Sequence, residues 1–141
     1  MIFMYGDHLE VRRKAAGVFP YGHHGIEMPG GQICENTWPA GVRFVTSMQF
    51  SRGTPVEVLN PGATPAERAA AVDRAAARAG ERRYNLLSNN CEHLATWCAY
   101  GAAVSHQVID WLRRLVEWLR TGLAVLAAGL VVGAVASAVA E

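Results

Sequence analysis

The run Asn89-Asn90-Cys91-Glu92-His93 sets a thiol directly after two helix-capping residues and ahead of Leu94, Ala95, Trp97 and Cys98, with Gly101 closing the segment. Asparagine at a cap accepts a hydrogen bond from a first-turn N–H, so either Asn89 or Asn90 can cap a helix whose first turn contains Cys91 and which Gly101 ends. A thiol in a first turn sits among unpaired N–H groups at the positive helix end. Both favour the thiolate and would bring its pKa from about 8.5 towards neutrality. The same N–H groups can hold an oxyanion. Cys98 lies deeper in the helix and reads as an inert core thiol. A thiol nucleophile also needs a base, and Tyr21-Gly22-His23-His24-Gly25-Ile26-Glu27 offers two. On a strand, His23 and His24 point to opposite faces, so only one of them can face the helix bearing Cys91. His8 and His106 have no such support.

The elements that must position these groups are legible from their punctuation. His8 to Arg13 alternates as a strand, Ala16-Gly17 reads as a turn, Val18 to Met28 is a second strand, and Pro29-Gly30-Gly31 closes a hairpin onto Gln32 to Asn36. Pro39-Ala40-Gly41 breaks the chain before a strand over Val42 to Thr46. Ser47 to Arg52 is a turn or short helix, and Pro55 to Leu59 a further strand. Thr64 caps a helix with Pro65 at its first position, and Gly80 ends it. Strands thus precede helices, which predicts an α+β domain with one small antiparallel sheet packed on helices.

The chain has 141 residues, enough for one domain and an appendage. Thirteen Lys+Arg against 12 Asp+Glu leave +1, so nothing favours nucleic acid as a partner. The N-terminus lacks a basic segment followed by an apolar run and does not read as a secretory signal. Three cysteines, Cys34, Cys91 and Cys98, cannot all pair, and no CxxC or HExxH spacing suggests zinc, so free thiols and no metal are expected. Residues 122–140 are uncharged and about long enough to cross a bilayer. They are preceded over 109–121 by an amphipathic, interfacial pattern with Trp111, Trp118, Arg113, Arg114 and Arg120. The expectation is a catalytic domain over 1–108, a juxtamembrane helix, and a single-pass tail anchor. The arginines place the catalytic domain in the cytoplasm, and Gly129 and Gly133 form a GxxxG through which two tails could pair weakly.

The segments HHGI and NCEHLATWCAYG together resemble the lecithin retinol acyltransferase family. The opening Gly6-Asp7-His8 and the stretch Ser105-His106-Gln107-Val108 are similar too, so the resemblance runs from about residue 6 to 108. It implies a circularly permuted, papain-like fold in which His23 is the general base, Cys91 the nucleophile and His24 a variable position. Where the family has a second histidine in the return strand, the hairpin register puts Glu35. A carboxylate there can orient an imidazole, and pairing is expected to raise the pKa of His23. The implied reaction is attack of Cys91 on a phospholipid ester to form an acyl-cysteine. Water completes a phospholipase A reaction and an alcohol or amine an acyltransferase reaction, without nucleotide, metal or other cofactor. The same nucleophile and base would serve a cysteine peptidase or amidase, and a non-catalytic membrane-bound interaction module is a third reading.

Overall fold

The computed structural model describes residues 3–15 and 17–139, with side chains as far as residue 126. The chain divides into two units, Met1–Gln107 and Val108–Glu141. In the first, β1 (His8–Ala15), β2 (Phe19–Met28), β3 (Gln32–Thr37) and β4 (Gly41–Thr46) are followed by α1 (Ser47–Ser51), β5 (Val56–Val58), α2 (Pro65–Ala77) and α3 (Cys91–Tyr100). The strands form one sheet in the order β4-β3-β2-β1-β5, antiparallel at every junction, so the unit is α+β.

Local chemistry accounts for the boundaries. Gly30 and Gly31 sit at φ 88° and 76°, a left-handed pair that glycine adopts without strain, and the turn fixes the register Gly25↔Glu35 and Ile26↔Cys34. Thr46 and Thr64 each form a capping box, with Gln49 and Glu67, and Pro65 opens α2 where its missing N–H costs nothing. The segment expected as a turn or short helix is α1.

Strand alternation sorts the interior into two clusters. Ile26, Met28, Cys34 and Val42 face α2 and α3, meeting Ala71, Ala75, Leu94, Ala95 and Cys98. Leu9, Val11, Ile33 and Val45 face the other way, onto Phe50 of α1. Gly6 lies where the segment before β1 crosses α2: a Cβ there would stand 2.4 Å from the Arg68 carbonyl oxygen, at φ +80°. The buried Asp7–Arg68 ion pair ties the same crossing.

In the second unit the chain is one helix, α4 (His106–Val139), which begins in the last residues of the first unit. Among the described residues, no helix is long and apolar enough to cross a membrane. The stretch from 108 to 126 is interrupted by Asp110, Arg113, Arg114, Glu117 and Arg120. Most of the expected span over 122–140, with Gly129 and Gly133, lies outside the residues whose side chains are described. The tail anchor, the cytoplasmic placement argued from it and the glycine-mediated dimer therefore have no structural support.

Candidate active site

Cys91 is the first residue of α3, and Asn90 caps it in extended conformation, its side chain accepting the His93 N–H at 3.0 Å. Asn36 on β3 holds the preceding loop by donating to the Asn89 carbonyl at 2.9 Å. The helix seats Leu94, Ala95 and Cys98 on the sheet, and its N-terminal tip reaches β2. There the pairing is one-sided: β2 bonds to β1 from Phe19 to Ile26, but to β3 only from Gly25 onward. Gly22 and His24 consequently carry backbone groups that no strand satisfies on that side, and buried backbone groups require partners. Gln107 supplies two of them, accepting from the Gly22 N–H at 2.9 Å and donating to the Gly22 carbonyl at 3.0 Å. The Cys91 Sγ lies against the same carbonyl at 4.0 Å.

The thiol at this edge is not the acidic one expected. Burial pushes it up to about 11, against backbone N–H groups of His24, Glu92 and Cys91 itself that favour the thiolate. The helix-end effect is present, but Cys91 is only 6% exposed, and desolvation of a sulfur anion outweighs it. Cys34 and Cys98 are also buried free thiols, and burial raises both to about 12.

The two histidines fall on opposite faces of β2. His24 shares the α3 face with Ile26 and Met28. His23 is on the other face, its ring 5.3 Å from that of Phe50 and its Nε2 2.7 Å from the Glu35 Oε2. The helix therefore covers the face of His24, and at the strand edge the Cys91 thiol lies against the Gly22 carbonyl and the His24 N–H, the backbone on either side of His23, and not against the His23 ring itself. Burial holds His23 below its ordinary value, with Arg13 and Arg52 adding to it, and Glu35 only partly offsets this. Glu35 acts on the histidine in the expected direction, upward, and it is burial that makes the net value fall. Burial would likewise raise Glu35, but hydrogen bonds and charge from His23 and Arg43 prevail and keep it a carboxylate. A neutral His23 beside a carboxylate donates from Nε2, leaving a lone pair on Nδ1, which has no hydrogen-bond partner among the described residues.

His24 is fully occupied. Its Nε2 faces the Gln107 amide at 3.2 Å, and its Nδ1 faces the His8 Nε2 at 3.0 Å. The Gln107 oxygen accepts from Gly22, so its nitrogen donates; its two hydrogens are shared among the Gly22 carbonyl, Glu92 and His24, and His24, facing this donor, accepts at Nε2 and donates from Nδ1. Burial lowers His24 to about 4 and His8 to about 3. Beneath them Glu92 accepts from Ser105 Oγ at 2.5 Å, from the His106 and Gln107 backbone, and from the Gln107 side chain at 3.1 Å.

Sequence reasoning passed over the Glu92–Gln107–His24–His8 network, whose members are far apart in the chain. It also passed over Arg43, whose Nε and Nη2 hold the second Glu35 oxygen at 3.0 and 2.8 Å. Arg43 had a signal: it stands directly opposite Glu35 across β3 and β4, where opposite charges attract. Tyr84 was missed too; its phenol, raised by burial to about 12, feels both Cys91 and Tyr21. Among the described residues no three His, Cys, Asp or Glu side chains converge as metal ligands would.

The family model described as lecithin retinol acyltransferase matches residues 2–104. The chain is 35% identical over 81 residues to the lecithin retinol acyltransferase of Mus musculus, which is 55% of this chain and 34% of that protein. The same figures hold for lecithin retinol acyltransferase of Rattus norvegicus. The chain thus spans about a third of the length of these curated relatives. With the match extending from before β1 to beyond α3, the chain belongs to the lecithin retinol acyltransferase family.

Proposed function

We propose that this protein is a cysteine-dependent acyltransferase or phospholipase A acting on phospholipid esters, with Cys91 as nucleophile and His23 as base. The observation that carries the assignment is the difference between the two adjacent histidines. Both nitrogens of His24 are engaged, whereas His23 is anchored through Nε2 by Glu35 and keeps a lone pair at Nδ1. Only His23 is free to take a thiol proton at that edge. The resting thiol is protonated, so the nucleophile is generated when His23 removes its proton during attack on the ester carbonyl. The new imidazolium is stabilised by Glu35, and the developing oxyanion by N–H groups at the start of α3. The carbonyl re-forms, His23 Nδ1 returns the proton to the leaving alcohol, and the acyl group stays on sulfur. Water, or an acceptor alcohol or amine, then attacks the thioester by the reverse route.

The order of the parts supports the circularly permuted papain-like reading, since here the base strand precedes the nucleophile helix, opposite to papain-like proteases. Attachment to lipid is assigned to the segment 109–121 of α4, where Trp111, Leu115, Trp118 and Leu119 are exposed and the basic residues suit an anionic interface. The test is the intact mass of the protein after incubation with mixed phospholipid vesicles. An added acyl group mapped to Cys91 and lost in His23→Ala is the expected result. An unmodified Cys91 after turnover conditions in which the vesicles are bound would refute the reading.

A further inference from the structure

At the turn end of the β1–β2 hairpin, beside the C-terminal end of α1, lies a cleft of about 440 Å³ that the chemistry above does not use. Its lining includes Arg12, Arg13, Lys14, Tyr21, Ser51, Arg52 and Thr54, and contains no carboxylate. Arg12 is paired with Glu10 at 3.2 Å. Among the described residues, no carboxylate lies within ion-pair distance of Arg13, Lys14 or Arg52. The Arg13 guanidinium is nonetheless fixed: Nη2 donates to the Phe50 carbonyl at 2.7 Å, the group lies 5.9 Å from the Phe50 ring centroid, and Nε is buried without a partner. Arg52 occupies the left-handed cap of α1 at φ 50°, the one non-glycine residue at positive φ among those described. A glycine would suit that backbone better, yet a cation stands there on the cleft wall. Three uncompensated cations with three hydroxyls form a donor set for an oxyanion, and the guanidinium fork matches phosphate oxygens.

We propose that this cleft holds the phosphate of the phospholipid whose ester is cleaved, an inference that rests on the reading of Cys91 and His23 given above. The sheet supplies the spacing. Arg13 pairs across the strands with Tyr21, and the next position on the same face pairs Val11 with His23. One same-face step along a strand is about 6.7 Å. In a glycerophospholipid, about five bonds separate an ester carbonyl carbon from phosphorus, roughly 6 Å when extended. A phosphate held by Arg13 therefore sets an ester carbonyl beside His23. The arrangement also couples binding to the base: Arg13 and Arg52 both help keep His23 below its ordinary value, and a phosphate between them offsets their field, making His23 a stronger base once substrate is in place.

The test uses the full chain and the double variant Lys14→Gln/Arg52→Gly. Both positions are exposed, and glycine relieves the positive φ at 52, so the variant is expected to melt no lower than wild type; Lys14→Glu serves as a second variant. Calorimetric titration with glycerophosphocholine and, separately, inorganic phosphate is combined with turnover of diheptanoyl phosphatidylcholine and of 4-nitrophenyl butyrate, an ester without phosphate. The expected result is about a tenfold or greater loss of glycerophosphocholine affinity. A similar fall is expected in the ratio of kcat/KM for the phospholipid to that for the neutral ester. Unchanged affinity and ratio in both variants would overturn the proposal, and binding of inorganic phosphate without glycerophosphocholine would overturn the lipid assignment. Loss of glycerophosphocholine binding in a protein whose Cys91 accepts acyl from neither ester would uphold the anion site and refute the acyl-transfer reading.

Discussion

Replacing Glu35 by Gln removes a charge from beside His23 while keeping the side chain's shape and an acceptor oxygen. The carboxylate is 2% exposed and 2.7 Å from Nε2, so water does little to screen it. When the Cys91 proton reaches Nδ1 the ring becomes a cation. A hydrogen bond between charged partners contributes roughly 1.5–3 kcal/mol, against roughly 0.5–1.5 kcal/mol for a neutral one. The substitution should therefore cost the charged transition state about 1–2 kcal/mol, a fall of about 5- to 30-fold in the rate of Cys91 acylation. Arg43 holds the other Glu35 oxygen and draws on the same negative charge. Its side chain is 48% exposed, so solvent screens much of its effect, and Arg43→Gln should change the rate by less than about threefold, upwards if at all. The assay is the pH dependence of iodoacetamide alkylation at Cys91, read by intact mass, with buried Cys34 and Cys98 as unreactive internal controls. In Glu35→Gln the profile should show weaker activation by His23, its imidazolium forming only at lower pH than in wild type. Superimposable profiles would remove Glu35 from the reaction and leave a dyad of His23 and Cys91.

His8 and His24 are folded with values of about 3 and 4 but take up protons near 6.5 when unfolded, so below that pH the unfolded chain binds protons that the folded chain refuses. Stability should fall as the pH drops from 6.5 towards 4, by about 2 kcal/mol for each histidine at pH 5; chemical denaturation midpoints that are flat between pH 7 and 5 would contradict this. Asn90→Ala removes the cap of α3 and should cost about 1 kcal/mol, a fall of roughly 4 °C in Tm, with slower acylation because Cys91 loses its fixed first turn. Gly6→Ala places a Cβ 2.4 Å from the Arg68 carbonyl at a positive φ. It should lower Tm by more than Asn90→Ala does, and thermal melts that reverse this order would argue against the close crossing.

The residues that announce the site did so because their information is local. Two glycines at the end of β2 force a turn, the turn fixes a register, and the register sets Glu35 on the same sheet face as His23. Asn89 or Asn90 could cap the helix that follows, and either choice makes Cys91 a first-turn thiol; the structure uses Asn90. The local influences on the two pKa values act in the expected directions, but burial, which depends on distant residues, outweighs both. The helix end that favours a thiolate was visible in the sequence; the burial that outweighs it arises only when α3 settles on the sheet. The sequence showed that His23 and His24 face apart, but not that β3 stops short of Gly22, that Gln107 closes this edge from 85 positions away, or that His8 and Gln107 occupy both nitrogens of His24. Caps and turns are decided within a few bonds of the backbone. Desolvation, strand edges and hydrogen-bond saturation are decided by groups that the chain brings together only after folding.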